Sequence, residues 1–154
     1  AQTPITVVCS GAKIVLDLPA TREWLETKGI TVLGWKCDEV PAFYSRCSGL
    51  PVDDRVETAL EAAQVIIARD ELETTNAILV TVPVPEEFEL DRDELEGILT
   101  DSLKDAAQKK IKGKDITPFL LAQMAERSNG RTLAANIALL ENNVKVASQI
   151  AVAI

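Results

Sequence analysis

The sequence predicts an α/β protein with a mostly parallel sheet covered by helices. Three observations carry that prediction. Apolar runs at Ile5–Cys9, Thr31–Cys37 and Ala77–Val82 have the near-continuous hydrophobicity of strands buried on both faces. Helical stretches with capping signals lie between and after them, the alternation that builds parallel sheets. The first run reads as a central strand, which needs a neighbour on each side. It nevertheless follows only Ala1-Gln2-Thr3-Pro4, and Ala1 is not Met, so a fragment, or one piece of a divided chain, is expected.

The elements follow in order. Ile5–Cys9 leads into a tight turn of small residues, Ser10, Gly11 and Ala12, then Lys13 and the apolar Ile14, Val15 and Leu16. Asp17 can cap a helix with Pro19 in its first turn, where a missing N–H is harmless. That helix passes Trp24 and Leu25 and stops at Gly29. After the Thr31–Cys37 strand, Pro41-Ala42-Phe43-Tyr44 forms a turn with aromatic anchors, and an irregular stretch runs through Gly49-Leu50-Pro51. Thr58 and Glu61 have capping-box spacing and open a helix to about Leu72, with Leu60, Ala63 and Ile67 as its buried stripe. Pro83 and Pro85 end the Ala77–Val82 strand.

The second half is helical. Asp91 and Glu94 cap a helix whose inner face is Leu95, Ile98, Leu99 and Ala106. Lys109, Lys110, Lys112 and Lys114 form a basic turn that suits a solvated helix end better than a phosphate site. Gly113-Lys114-Asp115 lacks the earlier glycine and the following Ser or Thr of a phosphate loop. Thr117-Pro118 is read as cap and first residue of the next helix, ended by Asn129-Gly130. Thr132 is read as the cap of the last. There Leu133, Ile137, Leu140, Val144, Ala147, Ala151 and Ile154 repeat in a three-four pattern, expected to form one long buried seam. Asn136 and Asn143 flank it on a common side, either as half-exposed packing or as amides directed into a pocket.

Composition narrows the function. Hydrophobic residues make up 47 % of the 154 and charged ones 26 %, a globular balance. The net charge of −8 argues against non-specific nucleic-acid binding and against an anionic membrane surface. No apolar run approaches the ~20 residues of a membrane span. Cys9, Cys37 and Cys47 are odd in number and without metal-type spacing, which suggests reduced thiols in a cytoplasmic setting. The absence of His means that this chain alone cannot build a Ser-His-Asp or Cys-His site.

Lys13 is the chemically suggestive residue. The turn after a strand is where open α/β sheets place ligands. Apolar surroundings favour the neutral amine, which can attack a carbonyl and form a Schiff base. A lysine at a strand end can equally well extend its stem along the protein and reach water. Spacing leaves both readings standing.

Longer blocks carry a resemblance. CSGAKIVLDLPATREWLETKGI, DEVPAFYSRCSG, PVPEEFELD, IKGKDITPFLLAQMAE and LAANIALLENNVKVASQIA, in that order, resemble the pseudouridine-5′-phosphate glycosidase family, which includes indigoidine synthase A-like proteins. The resemblance spans essentially residues 1–154 and corresponds to the carboxyl-terminal half of the family's chain. It implies reversible cleavage of the C–C glycosidic bond of pseudouridine 5′-phosphate to uracil and ribose 5-phosphate. Lys13 matches the family's Schiff-base lysine, and Asn136 matches an active-site asparagine. The family's acid, its phosphate-contacting lysine, and the ligand of its divalent metal (typically manganese) would lie in a missing amino-terminal half. A homotrimer is implied as well. Two alternatives are a non-catalytic folding or oligomerisation piece, and a Schiff-base enzyme for another sugar phosphate. One departure stands out: where several family members carry Ala-Asn-Pro, this chain has Thr81-Val82-Pro83. Either substrate choice differs, or the position never touches substrate. Ser10 in place of Ala and Trp35 in place of Tyr are milder changes.

Overall fold

The computed structural model describes residues 2–13 and 16–154. Four strands, β1 (Thr6–Cys9), β2 (Thr31–Trp35), β3 (Asp54–Val56) and β4 (Ile78–Thr81), form one sheet. Their order is β1-β4-β2-β3, and every pairing is parallel. Five helices accompany them: α1 (Leu18–Thr27), α2 (Ala59–Glu71), α3 (Arg92–Gln108), α4 (Ile116–Arg127) and α5 (Arg131–Ala153). Among the described residues no helix is long and apolar enough to cross a membrane.

The register places Val80 of β4 between Val8 of β1 and Leu33 of β2. On one face Leu33, Ile78 and Val80 pack with Ala62 and Ile66 of α2 and with Val146 and Ile150 of α5. A second cluster joins Phe43, Tyr44 and Val84 to Leu95, Met124, Ala135 and Leu139, with Ile98 and Leu99 against it. It ties the helical half to the carboxyl ends of the strands.

The expected caps on the first three helices form. Asp17 accepts from the Ala20 N–H at 3.0 Å, Thr58 from Glu61 at 3.2 Å and Asp91 from Glu94 at 2.9 Å. The last two helices start differently. A 3₁₀ turn at Gly113–Asp115 runs directly into α4, so Thr117 and Pro118 lie inside its first turn rather than at its cap. Gly130 precedes α5 with φ 82° and no side-chain cap. Thr132 is buried, and its N–H is taken by the Ser128 hydroxyl at 3.1 Å.

Three further expectations are corrected. β1 is an edge strand, paired only with β4 among the described residues, and Ile5 and Val7 are 49 % and 41 % exposed. The central strands are β4 and β2, each with a neighbour on both sides. The unanticipated β3 is short and hides a single apolar residue, Val56. Asp53 just before it accepts from the Val32 N–H at 2.7 Å and pairs with Arg22, joining β2 to α1. The stripe expected to be buried on α5 is open instead: Leu133, Ile137, Leu140, Val144 and Ile154 are all more than half exposed. The inward face is Ala135, Ala138, Leu139, Asn143, Val146 and Ile150. A helix with apolar residues on two adjacent faces satisfies the same three-four pattern twice, and the small Ala135 and Ala138 allow the closer approach. On α2, likewise, Ala62, Ala63 and Ile66 are buried while Leu60 and Ile67 are exposed.

Candidate active site

The turn after β1 is held from several sides. Its first residue, Ser10, is only 2 % exposed. The Cys9 carbonyl accepts from the Val82 N–H at 2.7 Å and the Ser10 carbonyl from the Phe43 N–H at 3.1 Å. The Ser10 hydroxyl donates to Asn143 Oδ1 of α5 at 3.1 Å, a buried bond across 133 residues of chain. Gly11 has φ 81°, and a Cβ there would lie 1.8 Å from the Pro41 carbonyl oxygen. Phe43, opposite, also has positive φ (66°) and meets Tyr44 edge-on at 4.8 Å. Lys13 follows this pinned turn, its carbonyl accepting from the Leu16 N–H at 2.8 Å.

A groove of about 440 Å³ opens beside the turn, with Lys13, Gly11 and Phe43 on one side and Leu140, Asn143 and Val144 of α5 on the other. One amine thus borders a largely apolar trough at the carboxyl end of an edge strand. The expectation that Lys13 is poorly solvated is not met by these residues: it is exposed. The strand ends at Cys9, and the turn carries Lys13 past the cover of α5. Ile14 and Val15, the apolar neighbours invoked for its burial, lie outside the described residues.

The two asparagines part company here. Asn143 is buried and lines the groove. Asn136 is half-buried, lies two turns (about 10 Å) nearer the start of α5, and does not line it. Val82, whose place in the family motif left substrate contact open, is fully buried in the core cluster with Leu33, Val80 and Val146. Its side chain packs inside this chain and does not face the groove. Burial raises the Cys9 thiol and pushes Cys37 up to about 11, so neither is a thiolate at neutral pH. Lys109 of the basic turn lies over the Phe119 ring at 5.2 Å, and none of the four lysines borders the groove. Among the described residues no group of three or more Cys, Asp or Glu side chains could hold a metal ion. The donor set for the divalent ion is not met by these residues.

The Ser10–Asn143 bond and the Gly11–Pro41 approach were not singled out from sequence. The heptad spacing of Asn136 and Asn143 signalled a shared helix flank, but which of the two meets the turn depends on the rotation of α5.

Comparison with known proteins finds relatives along essentially the whole chain. The family model described as indigoidine synthase A like protein matches residues 1–153. The pseudouridine-5′-phosphate glycosidase of Myxococcus xanthus is 50 % identical over 153 residues, 99 % of this chain and 50 % of that protein. Its namesake from Symbiobacterium thermophilum is 51 % identical with the same coverage. Among solved structures, the prealnumycin C-glycosynthase AlnA in complex with ribulose 5-phosphate superposes with a TM-score of 0.89 at 32 % identity, over 99 % of this chain and 50 % of that one. An indigoidine synthase A-like protein from Thermotoga maritima gives 0.86 at 42 % identity, over 97 % and 50 %. The chain therefore spans about half the length of these relatives and forms about half of the larger α/β unit. With residues 1–153 matched end to end by one family model, the chain belongs to the indigoidine synthase A like protein family.

Proposed function

We propose that residues 1–154 form the carboxyl-terminal part of a pseudouridine-5′-phosphate glycosidase-like domain that works through a Schiff base on Lys13. The observation that carries this reading is the placement of Lys13: on a pinned turn at a strand's carboxyl end, bordering the groove between β1 and α5. Relatives bearing that name at about half identity supply the substrate class, and a neighbour holding ribulose 5-phosphate supports a pentose phosphate.

Breaking the C–C glycosidic bond in this direction requires a donor on C1′ that pushes the bonding pair onto uracil, and an amine nitrogen attached to C1′ is one, ending as a protonated imine. As the C1′–O4′ bond opens, O4′ takes a proton and Lys13 Nζ takes its place on C1′. The nitrogen lone pair then forms the C=N bond, and the C1′–C5 electron pair leaves with uracil, whose C5 takes a proton. Water adds to the imine, releasing ribose 5-phosphate and restoring the amine. Run backwards, the same steps join uracil to the sugar. Asn136 holds the sugar or the base by hydrogen bonds, from a position farther along α5. The chain acts in a cytoplasmic setting and as part of a homotrimer.

The remaining half of the relatives' length supplies the acid, the phosphate contacts and the ligand of a divalent ion, manganese by the family resemblance. It seats on the open edge of β1 and the stripe of Leu133, Ile137, Leu140 and Val144. Each such side chain is already partly buried, so covering the rest gains on the order of 1–2 kcal/mol. Such a cover would also remove Lys13 from water. Purified 1–154 is accordingly expected to release no uracil from pseudouridine 5′-phosphate. Turnover by 1–154 alone would show that no second half is needed.

Lys13's exposure favours the alternative in which it merely reaches water. One experiment on the natural polypeptide carrying residues 1–154 separates the two. Incubation with ribose 5-phosphate and borohydride should add one sugar phosphate to the peptide containing Lys13. In the same protein Asn136→Ala should slow uracil release by about tenfold or more with little change in stability. Labelling at Lys36 or Lys114, or no label at all, would remove Lys13 from the reaction.

A further inference from the structure

We infer that Asn143 and Ser10, which stands where the family pattern has Ala, act as a pair particular to this chain that positions Lys13 for reaction. The inference rests on the reading of Lys13 as nucleophile. Ser10 is 2 % and Asn143 8 % exposed, so their bond is shielded from competing water. Among the described residues it is the one side-chain hydrogen bond that joins α5 to the turn carrying Lys13. The other restraints on the turn, from Phe43, Val82 and Pro41, come from the strand ends and the following loop. They fix the backbone of the turn, and apolar packing already brings it near α5: Val8 of β1 lies against the cluster with Val146 and Ile150, and Phe43 shares a cluster with Leu139. The Ser10–Asn143 bond adds the directional tie at the turn itself, beside the groove's far wall of Leu140, one turn before Asn143, and Val144, the residue after it. The pair therefore fine-sets the separation between the amine's backbone and the wall across which substrate must lie.

An attacking nitrogen displaced by about 1 Å loses on the order of 10²-fold in rate. A hydroxyl–amide pair three residues from the nucleophile is well placed to prevent such a shift. It acts through Lys13 and touches no reacting atom.

The test uses the natural polypeptide carrying residues 1–154 and reads two quantities: the rate of borohydride-trapped adduct on the Lys13 peptide at saturating ribose 5-phosphate, and KM for pseudouridine 5′-phosphate. Asn143→Ala and Ser10→Ala should each slow trapping by about 10- to 100-fold, with KM changed by less than about threefold. The double variant should be no slower than the slower single one, because the two groups make one bond. Ser10→Thr, which keeps the hydroxyl, should recover most of the lost rate. Trapping at the wild-type rate in both single variants, with only a lower melting temperature, would overturn the inference, as would losses that multiply in the double variant. If Asn143→Ala fails to fold, the contrast between Ser10→Ala and Ser10→Thr decides the matter alone. Absence of trapping in the wild-type protein would instead remove the Schiff base itself, and this pair's role with it.

Discussion

Lys13→Arg is expected to lower uracil release by on the order of 10³-fold or more while leaving the fold intact. Guanidinium keeps the positive charge but does not deprotonate in proteins, so it can neither add to C1′ nor form an imine. The side chain is exposed, and the turn is held through Cys9, Ser10, Gly11 and the Lys13 backbone carbonyl, not through the Lys13 side chain. Its replacement should therefore change stability by less than about 0.5 kcal/mol. The comparison is clean because charge, reach and fold are kept and only the nucleophilic lone pair is lost. Substrate binding should survive. The measurement is steady-state turnover, with binding followed separately by equilibrium titration and denaturation by urea. Turnover within tenfold of wild type would end the covalent mechanism, however close the relatives. Burial disfavours the charged ammonium, and Lys13 is exposed among these residues. Full activity thus also requires that something beyond these residues cover the amine, and the open stripe on α5 is where that cover can seat.

Legibility in the sequence followed the physics of each signal. Strand runs and the caps at Asp17, Thr58 and Asp91 were readable because they depend on neighbours within three or four residues. The position of β1 at the sheet edge was not, since an apolar strand looks the same whether its second neighbour is in the same chain or elsewhere. The last helix was read with the right extent and the wrong rotation. Leu133, Ile137, Leu140 and Val144 outweigh Ala135, Ala138 and Leu139 in bulk, yet the smaller residues are the buried ones, Ala135 and Leu139 in the cluster with Phe43, Tyr44 and Met124. β3 carries two exposed charged residues in three, so nothing periodic announces it. Lys13 was found from its turn and from the family resemblance, whereas its solvent exposure and the choice of Asn143 over Asn136 at the groove are tertiary facts.

Gly11→Ala is the change expected to damage both fold and chemistry. At φ 81° an alanine sits in the left-handed region, which penalises any Cβ by roughly 1–2 kcal/mol. Its Cβ would also lie 1.8 Å from the Pro41 carbonyl oxygen, where no compliant side chain can give way. Either the turn or the Pro41 backbone must move by more than about 1 Å, since real Cβ contacts stay above 3.0 Å. Movement of the turn breaks the Phe43 N–H bond to Ser10 and the buried Ser10–Asn143 bond, each worth about 1 kcal/mol. Together these predict a loss of about 3–4 kcal/mol in urea denaturation of the natural polypeptide. The same shift carries Lys13 away from its groove, so the folded fraction should also trap sugar phosphate on the order of 10²-fold more slowly. Gly49→Ala separates the two contributions. Gly49 has φ 80° but nothing within 4 Å of the added Cβ, so it bears the conformational term alone and should lose only about 1 kcal/mol, with trapping unchanged. Equal losses at the two glycines would mean that the Pro41 contact is relieved without disturbing the turn. Lys13 would then be held by something other than the close approach of these two backbones.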